Sequence, residues 1–173
     1  MPATVPAASS EPIPANATKA AVDTYAGQVA DALGYKPGIN LDDLVARLGG
    51  RVEHDAWELS EGSGSLEVFP DGKPAFIIRL PYFAGRLRNR FTIAHELGHY
   101  FLHSNGGKNP IRIFREGSDR CEWEANWFAA GFLLPAGRFR EDWTRLRSIS
   151  GLADLYQVSQ AVIEIRLKTL ALG

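Results

Sequence analysis

Three of the four histidines, His95, His99 and His103, fall at four-residue intervals inside FTIAHELGHYFLH, Phe91 to His103. Residues four apart on a helix lie on one face, one turn above each other, so the imidazoles of His95 and His99 can reach a single metal ion. Glu96 stands beside them, offset round the helix. There its carboxylate is placed to take a proton from water at the metal rather than to bind the metal itself. The His-Glu-x-x-His pattern fixes only three positions, and its plain alternative is a helix with one buried and one exposed histidine. The apolar setting of Phe91, Ile93, Ala94, Leu97, Tyr100 and Phe101, with Gly98 leaving space, favours the metal reading.

A zinc site of the hydrolytic kind needs a third protein ligand and one open position. His103 is tempting, but eight residues at 1.5 Å rise put its Cα ~12 Å along the axis from that of His95. That is too far for three ligands at ~2 Å from one ion on an unbroken helix. No Gly or Pro lies between Tyr100 and Leu102 to break it, so His103 is expected to cap the helix or serve the structure. The other candidates are Glu122 and Glu124, in CEWEANWFAAGFLLP. Their side chains project about 200° apart on a helix, so at most one can face the metal. Glu122 shares its face with Asn126, Ala129 and Leu133, and Asn126 could hydrogen-bond a ligand histidine. Glu122 is the preferred third ligand and Glu124 the reserve, with a structural ion pair as the alternative for either.

These residues need elements to hold them. From Thr18, apolar residues recur at helical spacing through Val22, Ala26, Val29 and Leu33 up to a stop at Gly34. Asn40 caps a second, short helix over Leu41 to Leu48. Weak alternation over Arg51 to Trp57 and a loop over Glu61 to Ser65 precede two strands, Ser65 to Phe69 and Ala75 to Leu80. Pro70-Asp71-Gly72-Lys73 joins them as a hairpin. A small, mainly antiparallel sheet is therefore expected. A long helix is expected from Ser118 or Asp119 to Leu134, stopped at Pro135. Further helical pieces follow at Phe139 to Leu146, at Leu152 to Tyr156, and after Ser159.

RNRFTIAHELGHYFLH followed by EWEANWFAAGFLLP resembles the ImmA/IrrE family of metallopeptidases over roughly Ile39 to Leu170. The resemblance implies an α+β, zincin-like, gluzincin-type fold over residues 18–173, with a helical C-terminal part from about residue 138. It implies Zn²⁺ held by His95, His99 and Glu122, with Glu96 as catalytic base. It also implies a protein substrate, a helix-turn-helix repressor or an antitoxin. Gly131 and Phe132 stand where that family usually has Glu and Leu, and Leu134 replaces a common Met. The competing reading is a regulatory protein or toxin-antitoxin component that keeps the fold and acts by binding a partner or DNA.

Composition bounds these readings. Of 173 residues, 45% are hydrophobic and 23% charged, ordinary globular values that exclude global disorder. A formal net charge of -1 gives no overall pull toward nucleic acid or anionic lipid. There is no run of 18 apolar residues to span a membrane, and the first nineteen residues lack the basic and apolar regions of a secretory signal. With Cys121 as the single cysteine, a cytoplasmic protein is expected. Residues 1–17 carry four prolines among small residues and are expected to be a disordered tail.

Three further features invite readings. Lys73, Arg79, Arg86, Arg88 and Arg90 form a basic run without an acidic residue. It reads first as a solvated loop and second as a docking surface; arginines just before a helix also call for a counter-anion. Leu152 to Leu170 has the rhythm of a helix-turn-helix that would present Gln160, Glu164 and Arg166 outward, but its charge is too balanced to favour DNA. Tyr82, Arg90, Tyr100 and His103 are within chain reach to stabilise an oxyanion, and a substrate strand could add along Ala75 to Leu80.

Overall fold

The computed structural model describes residues 9–56, 64–82, 84–114 and 119–173. Within them the chain runs α1 (Lys19–Ala32), α2 (Leu41–Arg47), β1 (Gly50–Ala56), β2 (Ser65–Val68), β3 (Phe76–Pro81) and α3 (Arg86–His103). It continues through β4 (Arg112–Phe114), α4 (Asp119–Leu133), α5 (Ala136–Leu146), α6 (Ile149–Tyr156) and α7 (Gln160–Thr169). This is an α+β fold. The expected end of the first alternating segment at Trp57, residues Glu61 to Ser63 of the expected loop, the alternative helix start at Ser118, and residues 1–8 of the tail lie outside the described residues.

Local chemistry explains the helix ends. Thr18 Oγ1 accepts from the backbone N–H of Ala21 at 3.1 Å, and Asn40 Oδ1 from that of Asp42 at 2.9 Å. Each supplies an acceptor for an N–H that has no partner within its own helix. After α1 the chain turns through Gly34 at φ +65°, a conformation that costs little without a Cβ. At the end of α3, Ser104 Oγ bonds back to the carbonyl of Tyr100 and accepts the N–H of Gly107, which closes the helix that carries the three histidines.

The sheet order is β1-β3-β2-β4. β2 and β3 form the expected hairpin, with Leu66 opposite Ile78 and Val68 opposite Phe76. β4 adds antiparallel to β2, whereas β1 is parallel to β3. The sheet is thus mixed, with antiparallel pairing predominating. β3 lies between β1 and β2, so its backbone is already paired on both sides. The idea of a substrate strand adding along Ala75 to Leu80 is corrected accordingly: β1 and β4 are the outer strands.

Helix α3 contacts β2 and β3, and it also contacts α4, on which α1 packs. Ile93, Ala94 and Leu97 of α3 join Leu66, Phe76, Ile78 and Leu80 of the sheet in one apolar core, and the Tyr100 ring lies 4.2 Å from that of Phe76. Between α3 and α4 the approach is closer. A Cβ on Gly98 would lie 3.0 Å from Ala125 Cα and 3.1 Å from Phe128 Cβ. The space at Gly98 is therefore filled by the backbone of α4. Gly131 has a similar reason: its missing Cβ would meet Asp23 and Ala26 of α1 at 2.9–3.0 Å, so a larger residue there would collide with α1.

Residues 10–17 depart from the expected disorder. Ser10 forms a parallel bridge to Ile111 and donates its N–H to the Pro110 carbonyl at 3.0 Å. Ala15 donates its N–H to Glu124 Oε2 at 2.9 Å, and Arg120 holds the carbonyl of Ala17. Proline does favour extended chain here. That chain is docked as a strap on Pro110 and Ile111, just ahead of β4, and on α4.

Candidate metal centre

His95 and His99 sit one turn apart on α3, and Glu122 reaches them from the first turns of α4. The Nε2 atoms of the two histidines are 3.1 Å apart. Glu122 Oε1 lies 3.1 Å from His99 Nε2, and Oε2 lies 3.1 Å from His95 Nε2. The three residues offer ligand atoms within 4.8 Å of one another, a group that could hold a metal ion. The histidines are buried and the Glu122 side chain is 22% exposed, so the group meets solvent on the glutamate side.

The outer ring nitrogens show that this donor set fits a cation. His95 Nδ1 lies 2.9 Å from Asn126 Oδ1, one helical turn beyond Glu122, as the face arithmetic anticipated. An amide oxygen only accepts, so His95 carries its proton on Nδ1 and presents a bare Nε2. His99 Nδ1 lies 2.8 Å from His103 Nδ1. Burial foremost, then the crowding of a charged His99 by the neighbouring His95 and His103 rings, lowers the pKa of His99 to about 4 although Glu122 opposes the change. A neutral ring is the form that ligates. Burial would raise the Glu122 carboxyl, but the two histidines set against it hold it well below the usual carboxylate range. Two lone pairs and a carboxylate converging on one point repel one another until a cation sits among them.

Glu96 is buried between the two histidines in sequence and 1% exposed. Gly64, at the start of β2, makes room for it. A Cβ there would lie 2.4 Å from Thr92 Cγ2 and 3.1 Å from Glu96 Oε1. The hairpin and the motif helix thus meet at the carboxylate through a residue without a side chain.

Several expectations change once the side chains are in place. Glu124 is wholly buried and bonds His103 Nε2 at 2.9 Å and Arg120 Nε at 3.0 Å, so the reserve ligand supports the site from behind. His103 is not one of the converging group but serves the structure behind it: one ring nitrogen meets His99 Nδ1 at 2.8 Å and the other meets Glu124 at 2.9 Å. Of the oxyanion candidates, Tyr100 packs under Gly107 and on Phe76. Arg90 belongs to α3 itself and donates to the carbonyls of Ile39 and Tyr156 and to Tyr35. Carbonyl oxygens thus stand where a counter-anion was expected. Arg79 of the basic run pairs with Glu53 and Glu67 at 3.0 Å each, which neutralises its charge on the sheet. Arg166 is not presented outward: it is 2% exposed, bonded to Asp23 and to the Leu134 carbonyl. Cys121 is buried near Pro12, and burial, with Glu124 and Glu122 nearby, pushes its thiol up to about 11. It stays protonated at neutral pH.

A peptidase family model described as the IrrE N-terminal-like domain matches residues 59–168. The chain belongs to that family. The match includes α3 and α4, and so all of the residues that converge at the centre. The IrrE-like fold of this chain is also seen in a solved structure described as a Mycobacterium tuberculosis transcriptional regulator. The two are 21% identical with a TM-score of 0.59, and the alignment covers 86% of this chain and 47% of that one. This chain therefore spans about half the length of that protein. No curated protein matches it. Among the described residues, no helix of this IrrE-like domain is long and apolar enough to cross a membrane.

Proposed function

We propose that this chain is a zinc-dependent endopeptidase, with His95, His99 and Glu122 as metal ligands and Glu96 as general base. The observation that carries this reading is the convergence of the three ligand atoms beside a buried carboxylate from the same helix. Bound zinc would supply a Lewis acid and bring the acidity of water toward neutrality. Glu96 takes the proton from the attacking water and delivers it to the leaving amine. Asn126 and His103 keep the ligand rings facing the centre. The substrate we infer is a helix-turn-helix repressor or an antitoxin, cleaved in the cytoplasm. Membership of the IrrE-like peptidase family supports a protein substrate, and the lone cysteine supports a reducing compartment.

A second reading, regulation by binding without cleavage, draws on the mycobacterial structure's description as a transcriptional regulator. Retention of Glu96 beside the ligand group favours catalysis, because pure binding has no need of a buried base. Cleavage of candidate repressors by wild type and by Glu96→Gln, at matched zinc content, separates the two. The catalytic reading expects the variant to lose at least ~100-fold in rate. Equal rates would eliminate it.

A further inference from the structure

Behind His99 lies a chain of hydrogen bonds that ends on a carboxylate. His99 Nδ1 meets His103 Nδ1 at 2.8 Å, and His103 Nε2 meets Glu124 Oε2 at 2.9 Å. Both His103 and Glu124 have side chains with 0% exposure. The same carboxylate receives the N–H of Ala15 on Oε2 at 2.9 Å and Nε–H of Arg120 on Oε1 at 3.0 Å. A backbone amide and a guanidinium can only donate. Glu124 is therefore the acceptor throughout, and His103 donates to it from Nε2.

The remaining protons follow from that end of the chain. With its proton on Nε2, a neutral His103 offers Nδ1 as an acceptor. Only one proton can lie between two Nδ1 atoms 2.8 Å apart, so His99 carries it. Its Nε2 is then bare and faces His95 and Glu122. Sequence spacing builds this in: His95, His99 and His103 climb one face of α3, while Glu122 and Glu124 project from different faces of α4.

We propose that His103 and Glu124 are positioning residues that select the metal-binding tautomer of His99, with the 10–17 strap supplying one of the donors that orient Glu124. The proposal rests on the reading of His95, His99 and Glu122 as ligands. Its charged terminus distinguishes it from the neutral Asn126 contact behind His95.

The test uses the full chain and zinc itself. Zinc affinity, measured by chelator competition, is expected to fall 10- to 100-fold in Glu124→Gln. That carboxamide can turn an N–H toward His103 and reverse the chain. His103→Leu should fall as far, whereas His103→Asn, which restores an acceptor near the lost Nδ1, should recover part of the loss. Circular dichroism checks that each variant is folded. If His103→Leu fails to fold, Glu124→Gln and ¹⁵N spectra of the histidines in zinc-free wild type still decide. Those spectra should show His99 with its proton on Nδ1. That tautomer in a wild type that bound no zinc would support the relay and defeat the metal reading. A His99 proton on Nε2, wild-type affinity in Glu124→Gln, or His103→Asn no better than His103→Leu would each overturn the proposal.

Discussion

Asn126 Oδ1 stands 2.9 Å from Nδ1 of His95, one turn along α4 from Glu122. One helix thus supplies both a proposed ligand, Glu122, and the group that orients another, His95. Asn126→Ala should weaken zinc binding by about 10-fold, because His95 loses its fixed tautomer. Asn126→Asp should bind at least as well as wild type, since a carboxylate is the stronger acceptor. Chelator competition reads both, and equal affinity in Asn126→Ala would deny the contact its role.

Glu122 and Glu124 should separate cleanly on substitution. The Glu122 side chain is partly exposed and bonds only the two histidines among the contacts described for it. Glu122→Gln should therefore leave the protein folded and strip most of its zinc by elemental analysis. Glu124→Ala removes a buried acceptor from His103, Ala15 and Arg120. It should lower stability by about 3 kcal/mol through the donors left unpaired. A fully stable Glu124→Ala would contradict the burial argument.

The acid response of the zinc-free protein follows from His99. Its pKa is lowered by burial from 6.5 to about 4, so between these values the unfolded chain binds the proton and the folded one does not. The contribution is complete above pH ~6.5 and is lost as pH falls through about 4. It amounts to on the order of 3 kcal/mol. Burial lowers the pKa of His103 as well, although Glu124 opposes the change, and its effect has the same sign. Urea midpoints taken across this range should fall with pH, and saturating zinc should move the fall to lower pH. A flat profile in the zinc-free protein would show that the histidines are not held neutral.

Gly98 sets how closely α4 approaches α3. Gly98→Ala places a methyl 3.0–3.1 Å from Ala125 and Phe128, tighter than ordinary contact, and pushes the two ligand-bearing helices apart. A loss of about 1–3 kcal/mol is expected, with Tm lower by ~2–9 °C for a chain of this size. Zinc affinity should fall with it. A variant with unchanged Tm would show that the interface yields freely.

What could be read in advance was what a single helix decides. His95, Glu96, His99, Glu122 and Asn126 take their faces from 3.6-residue periodicity alone, and Asn40 and Ser159 announce their helices by capping chemistry. What escaped depends on how elements meet. The partnership of His103 with Glu124 needs the relative register of α3 and α4, and the inward turn of Arg166 needs the position of Asp23 on α1. The interior place of β3 needs the parallel pairing of β1, which no hairpin signal encodes. The strap was masked by its own prolines, whose composition matches that of a disordered segment as well as that of a docked, extended one.

The strap's partners lie about a hundred residues downstream: Ser10 on Pro110, Ala15 on Glu124. During synthesis residues 10–17 precede α4 and must wait until it has been translated before they can dock. Closing so long a loop is slow compared with forming the helices themselves. The orienting contact behind His99 is therefore completed only after α4 has been made, and a chain released before α4 lacks both Glu122 and the acceptor that orients His103 behind His99.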